Sequence, residues 1–168
     1  TPELDRKHND LIIKKFDIQC YTKDITNIVK EITNNSIIKP DKYALANIKA
    51  RARMILLFGY ANMTNSLVCG TSNKSEMLVG YFTKYGDGGV DIMPLGDIYK
   101  TQVFELAKYL EIPKQVISKP PTAGLWYGQT DEDELKLGYD QLDKILVGLE
   151  KKIDLNEISR ITDIKKSE

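Results

Sequence analysis

The chain reads as an α/β protein, a parallel sheet covered by helices on both faces. Short apolar runs alternate along it with segments whose apolar residues recur at helical spacing. One such run, Ser66 to Gly70 (SLVCG), ends on Gly70-Thr71, the way an internal parallel strand delivers a ligand loop at its carboxyl end. With 168 residues, 42% apolar and 29% charged, the chain has the size of one domain and enough apolar surface for a core.

The elements follow in order. Thr1-Pro2 suits an N-cap and first helical position, and Leu4, Leu11, Ile12 and Lys15 continue a helical stripe. Asp17 to Thr22 is a short β-like run. Ile25, Ile28, Val29 and Ile32 then repeat at helical spacing up to the polar stop Asn34-Asn35-Ser36. After Pro40 a long helix is predicted from about Asp41 to Met63, strongly apolar along Ile55, Leu56, Phe58 and Tyr60, and so either buried or facing a second subunit.

Beyond SLVCG, a short helix carries Met77 and Leu78, with Ser72 or Ser75 as its N-cap. The next strand is Val90 to Leu95, and a helix from Tyr99 to Leu110 turns Val103, Leu106, Ala107 and Leu110 inward. Ile112 to Gly128 holds three prolines and two glycines, and is predicted as a loop with little regular structure, of the kind that forms a lid. Glu132 to Glu150 is helical along Leu135, Leu142, Ile145, Leu146 and Leu149, and a last helix starts near Asn156.

Composition excludes several classes of function. Lys and Arg number 24, Asp and Glu 24, for a net charge of +0, so no nucleic-acid patch or membrane-binding surface is expected and any basic function is local. Met54 to Tyr60, the longest strongly apolar run, is too short to span a bilayer, and no secretory leader is visible, which favours the cytoplasm. Cys20 and Cys69 lie far apart with no histidine cluster, so they read as buried thiols, and the lone His8 as solvent-exposed without a role.

Residues 82–91, FTKYGDGGVD, carry the sharpest functional signal. Gly86, Gly88 and Gly89 leave a stretch of backbone almost bare, so that it can turn sharply or bring main-chain N–H groups to a phosphate or ribose, with Lys84 and Asp91 as its brackets. GDGG is also an ordinary tight turn. Asn47 and Arg51 lie four apart on one face of the long helix while Arg53 points elsewhere; a guanidinium there grips a carboxylate or phosphate, or simply solvates the helix. Thr71 offers a hydroxyl at the strand end. Glu76, one turn into a short helix, suits a single carboxylate ligand of Mg²⁺ or a helix-dipole partner. Lys100 at a helix start is unfavourable for the dipole, which hints at a use. Pro120-Pro121 stiffens the chain ahead of Thr122. The acidic run Thr130 to Glu134 reads as a capping box of Thr130 with Asp133 plus acids in a first turn.

The segments NIKAR (Asn47 to Arg51), GTSNKSE (Gly70 to Glu76), FTKYGDGGVD, IYK (Ile98 to Lys100) and KPPTAGLWYGQTDEDEL (Lys119 to Leu135) together resemble the NAD synthetases, a branch of the N-type ATP pyrophosphatases, from about Lys42 to about Leu149. The resemblance implies a Rossmann-like, adenine nucleotide alpha hydrolase-like sheet. It implies one partial domain over 1–168, since the Ser-Gly-Gly-x-Asp-Ser phosphate loop and the His-Lys-Arg segment of that family are not found here. It also implies ATP contacts at Thr71, Lys100 and Thr122, deamido-NAD contacts at Arg51, Lys84 and Asp91, and a magnesium ligand at Glu76. The expected reaction is ATP-dependent amidation of deamido-NAD, with free ammonia as the nitrogen source because no glutaminase nucleophile is visible, in a homodimer with sites near its interface. Alternatives are another adenylating pyrophosphatase of the GMP-synthetase kind, or a noncatalytic nucleotide-binding or dimerisation module.

Overall fold

A computed structural model describes residues 3–126 and 128–165, and the capping role read for Thr1 and Pro2 lies outside them. The segment that opens the chain forms α1 (Glu3–Phe16), and the next periodic run forms α2 (Thr26–Asn34). Asp17 to Thr22, read as β-like, is irregular, with Asp17 at positive φ closing α1.

The long helix is α3 (Lys42–Thr64), capped by the Asp41 carboxylate, which accepts the Ala44 N–H at 2.7 Å. Its buried residues are all alanines, Ala46, Ala50, Ala52 and Ala61, so neighbouring backbone approaches it closely. Several large apolar side chains stay outside, Ile55 60% and Met63 80% exposed, while Leu56 and Phe58 are half-buried.

No strand longer than a single bridge forms among the described residues. Cys69 pairs in parallel with Ile92, the Gly70 N–H donates to Ile92 O at 2.8 Å, and the Asp91 N–H to Val68 O at 3.0 Å. The two runs read as strands therefore meet in parallel, for one rung. Cys69 is exposed, contrary to the expected burial, because it lies on a cleft wall; Cys20 is exposed in the irregular segment before α2, and His8 is half-buried.

The remaining elements are α4 (Lys74–Val79), α5 (Lys100–Tyr109), a single turn α6 (Lys114–Ile117), α7 (Asp131–Leu135), α8 (Tyr139–Glu150) and α9 (Leu155–Thr162). The α4 cap is Asn73, and neither candidate serine fills that role. The predicted helix from Glu132 to Glu150 is two helices, parted where Lys136 takes a left-handed conformation with φ 57°. Among the described residues, six helices close on a non-glycine residue of positive φ: Asp17, Asn65, Glu111, Lys136, Lys152 and Asp163. Helices α4 and α5 pack on α8, and Gly148 of α8 lets Ile158 of α9 come so near that a Cβ would sit 2.7 Å from Ile158 Cγ1.

Candidate active site

A cleft of ≈ 650 Å³ opens between α3, the glycine-rich loop, α4, the start of α5 and the 112–130 loop. Four of the seven residues singled out from the sequence line it: Thr71, Glu76, Lys100 and Thr122. Arg51, Lys84 and Asp91 do not.

The floor of the cleft is fixed from below. Glu76 belongs to a capping box, its Oε2 accepting the Asn73 N–H at 3.1 Å while Asn73 Oδ1 accepts the Glu76 N–H. Its Oε1 accepts from Lys100 Nζ at 2.8 Å, and both side chains are mostly shielded, 14% and 17% exposed. Lys100 opens α5, where a cation opposes the helix dipole. The compensation comes from α8. Asp143, 4% exposed, accepts the Thr101 N–H at 2.8 Å on one oxygen and the Ser75 hydroxyl on the other, and Ser75 Oγ accepts the Lys100 N–H at 2.8 Å. Tyr139, one turn before Asp143, places its ring 5.1 Å from Lys100 Nζ.

A second polar group stands beside this floor and was missed in the sequence. Asp131, 3% exposed, accepts from Tyr139 Oη at 2.9 Å and Tyr81 Oη at 3.2 Å, and Tyr81 also donates to Glu134 at 2.6 Å. Gln129 donates to the same Glu134 oxygen at 2.7 Å. Burial pushes the Asp131 carboxyl up from its ordinary range, against the pull of the Tyr139 hydrogen bond and the Lys100 charge. Burial, then the neighbouring carboxylates, holds both tyrosines protonated as donors. The capping role read for Thr130 and Asp133 is present, but Asp131 and Glu134, three apart, turn the opposite side of that run into the cleft. That spacing was the available signal.

The glycine-rich loop forms the tight turn that GDGG also allows. The N–H groups of Gly86 and Gly88 donate to Thr83 O, and that of Gly89 to Gly86 O, so these three donors are spent inside the loop. The bareness serves packing: a Cβ on Gly86 would lie 2.7 Å from Thr83 Cγ2 and 3.0 Å from Ala50 Cβ. Thr83 in turn donates to Asn47 Oδ1 at 2.8 Å, and Arg51 Nε donates to Lys84 O at 3.1 Å, which moors the loop to α3. Asp91 accepts the Val68 N–H at 2.8 Å. Of the two arginines it is Arg53 that lines the cleft, because the facing stripe runs through Ala46, Ala50, Met54 and Leu57, and Arg53 lies one turn beyond Ala50.

The 112–130 loop lies against α3. Lys49 Nζ donates to Leu125 O at 2.6 Å, Gln129 Oε1 accepts the Leu125 N–H at 2.8 Å, and Lys119 pairs with Asp5. Trp126 meets Tyr43 edge-on at 5.8 Å and carries Lys42 Nζ 3.9 Å above its ring. Thr122 Oγ1 accepts the Gly124 N–H at 3.0 Å. Among the described residues no three of His, Cys, Asp and Glu gather as a ready-made metal cluster, and no helix is long and apolar enough to cross a membrane.

The family model for NAD synthase matches residues 1–168. An NH(3)-dependent NAD(+) synthetase of Thermoplasma volcanium is 44% identical over 99% of this chain and 67% of its own length. Among solved structures, an NMN synthetase from Francisella tularensis superposes with a TM-score of 0.84 at 36% identity, over 99% of this chain and 73% of that one. The NH3-dependent NAD synthetase from Campylobacter jejuni gives 0.74 at 27% identity, over 100% and 72%. The chain spans between 53% and 67% of the length of eight curated relatives that it matches.

Proposed function

The chain belongs to the NAD synthase family, and from that premise we propose that it amidates a nicotinate carboxylate at the expense of ATP, with ammonia as the nitrogen donor and deamido-NAD as the substrate. The nicotinate carboxylate attacks the α-phosphorus of ATP and expels pyrophosphate. Ammonia then attacks the carboxyl carbon of the mixed anhydride, and AMP leaves. No protein nucleophile is required, so catalysis is positioning and charge neutralisation.

The observation that carries this reading is the Lys100–Glu76 pair, held at 2.8 Å on a shielded floor beside Thr71 and Thr122. Lys100, Thr71 and Thr122 are assigned to ATP, with Lys100 countering charge on the departing pyrophosphate. Magnesium fits this donor set. Glu76 keeps lone pairs beyond those given to Lys100 and Asn73, and Mg²⁺ typically takes one or two protein carboxylates with phosphates and waters. Glu76 would hold it, and the ion would supply charge against the phosphate oxygens.

Arg51, Lys84 and Asp91 are assigned to the nicotinate nucleotide. Support is their common place on α3 and the loop moored to it. The 112–130 loop is assigned as the lid over ATP. The parallel rung of Cys69 and Ile92 supports a Rossmann-like sheet, and the exposed apolar side of α3 supports a homodimer. A cytoplasmic enzyme acting on small molecules, with no nucleic acid or membrane partner, agrees with the balanced charge.

A second reading keeps the chemistry and changes the substrate: the high structural similarity to an NMN synthetase favours a mononucleotide. Both are tested by one assay on the protein that carries this chain. AMP and pyrophosphate release with ATP, Mg²⁺ and ammonia is followed with deamido-NAD and, separately, with nicotinate mononucleotide. The larger kcat/KM is expected with deamido-NAD. A larger value with the mononucleotide establishes the second reading, and release with neither overturns the amidation.

A further inference from the structure

Lys100 and Glu76 sit on different helices, joined by the tip of one side chain against another. Their backbones are fixed to each other by a group that touches neither side chain. Asp143 spreads one carboxylate over both elements: one oxygen takes the Ser75 hydroxyl of α4, the residue before Glu76, and the other takes the Thr101 N–H of α5, the residue after Lys100. Ser75, fully buried, closes the bridge by accepting the Lys100 N–H at 2.8 Å. Among the described residues no other carboxylate accepts a backbone N–H from the first turn of α5, and the capping residue Tyr99 gives its N–H to Gln102 at 2.9 Å.

From this bridge we propose that Asp143 is a positioning residue for the amidation: through Ser75 and the first turn of α5 it holds Lys100 in register with Glu76 for the departing pyrophosphate. It also offsets the helix dipole that a cation in the first turn opposes. The bridge is made of one buried and two partly buried hydrogen bonds with a rotamer-poor partner at each end, so a displaced Asp143 moves Lys100 and not merely the helix end. The proposal rests on the ATP role given to Lys100.

The test is a double-mutant cycle of Asp143→Asn with Lys100→Ala in the protein that carries this chain, read as kcat and as KM for ATP and for the nicotinate substrate, with far-UV circular dichroism to show that each variant is folded. Lys100→Ala is expected to lower kcat by at least about a hundredfold. Asp143→Asn keeps the size and one acceptor, and is expected to lower kcat at least about tenfold with KM for the nicotinate substrate within about twofold. In the Lys100→Ala background the same change is expected to cost less than about twofold further, because the group through which Asp143 acts is gone. If Asp143→Asn fails to fold, Ser75→Ala breaks the same bridge with loss of one hydroxyl and enters the cycle in its place.

Wild-type kcat in the folded bridge variant, or losses that multiply in the cycle, overturns the positioning role while leaving the ATP role of Lys100 intact. Normal activity in Lys100→Ala overturns that role, and the positioning role with it.

Discussion

The two sides of the cleft are built on opposite plans. On the floor, Glu76, Lys100, Ser75, Asp143, Asp131 and Tyr139 are shielded from water, and every buried polar side-chain atom among the described residues has a partner. On the rim, just outside the cleft lining, Arg51, Lys84 and Asp91 are exposed; Arg51 donates to the Lys84 carbonyl and Asp91 accepts the Val68 N–H. Under the proposed assignment, with ATP on the floor and the nicotinate nucleotide at the rim, the difference separates preorganised groups from adaptable ones. Charge that develops on a leaving phosphate is stabilised by groups fixed beforehand, whereas a nucleotide body is gripped by groups that settle when it arrives.

The largest expected effect sets floor against rim directly. Glu76→Gln is expected to lower turnover by about a hundredfold, and Arg51→Ala to raise KM for the nicotinate substrate by about tenfold with turnover within about twofold. Steady-state kinetics in both substrates checks this. Wild-type turnover in Glu76→Gln, or a loss of turnover without a KM change in Arg51→Ala, breaks the contrast.

An intermediate effect separates the packed part of the rim from its open part. Gly86→Ala drives a Cβ to 2.7 Å from Thr83 and 3.0 Å from Ala50, an overpacking that costs about 1–3 kcal/mol. Gly59→Ala on α3 meets nothing within 4 Å and is expected to gain up to about 1 kcal/mol. Denaturant midpoints should move in opposite directions. Equal midpoints would mean that the loop gives way and is not moored.

The smallest effect sharpens the electrostatics of the floor. Burial raises the Asp131 pKa in the folded state, so between the ordinary value of about 3.9 and the raised one the native state binds more protons than the unfolded chain. The Asp131 contribution to stability is therefore present in full below about 3.9 and is lost as pH rises through the raised value. Melting temperature against pH, compared with Asp131→Asn, should shift in favour of the native aspartate on going from neutral pH toward about 4. A difference that is flat with pH would refute the raised carboxyl.

Most of the helices were legible because periodicity and caps are local signals: Asp41 announces α3, and Val29 with Ile32 announces α2. The sheet was legible only as a tendency. Two apolar runs over twenty residues apart must find each other in space, and here they share a single rung. The break at Lys136 was hidden because a left-handed turn usually advertises itself with glycine. At the site, Glu76 and Lys100 stood out by breaking or satisfying rules of helix charge. Arg53 is not legible from the spacing of Asn47 and Arg51, which puts those two on one face, whereas the cleft-facing stripe runs through Ala46, Ala50 and Met54. Asp143 and Tyr139 were hidden inside an amphipathic pattern whose leucines drew the eye.

The six helix ends at Asp17, Asn65, Glu111, Lys136, Lys152 and Asp163 carry a wider consequence. Side chains with a Cβ resist that conformation, by roughly 1 kcal/mol each against glycine, with less at asparagine and aspartate. The chain thus keeps a reserve of thermal tolerance at its corners, away from the cleft, where glycine can be introduced one turn at a time. Heat resistance in such a molecule can be adjusted without touching the floor of the cleft.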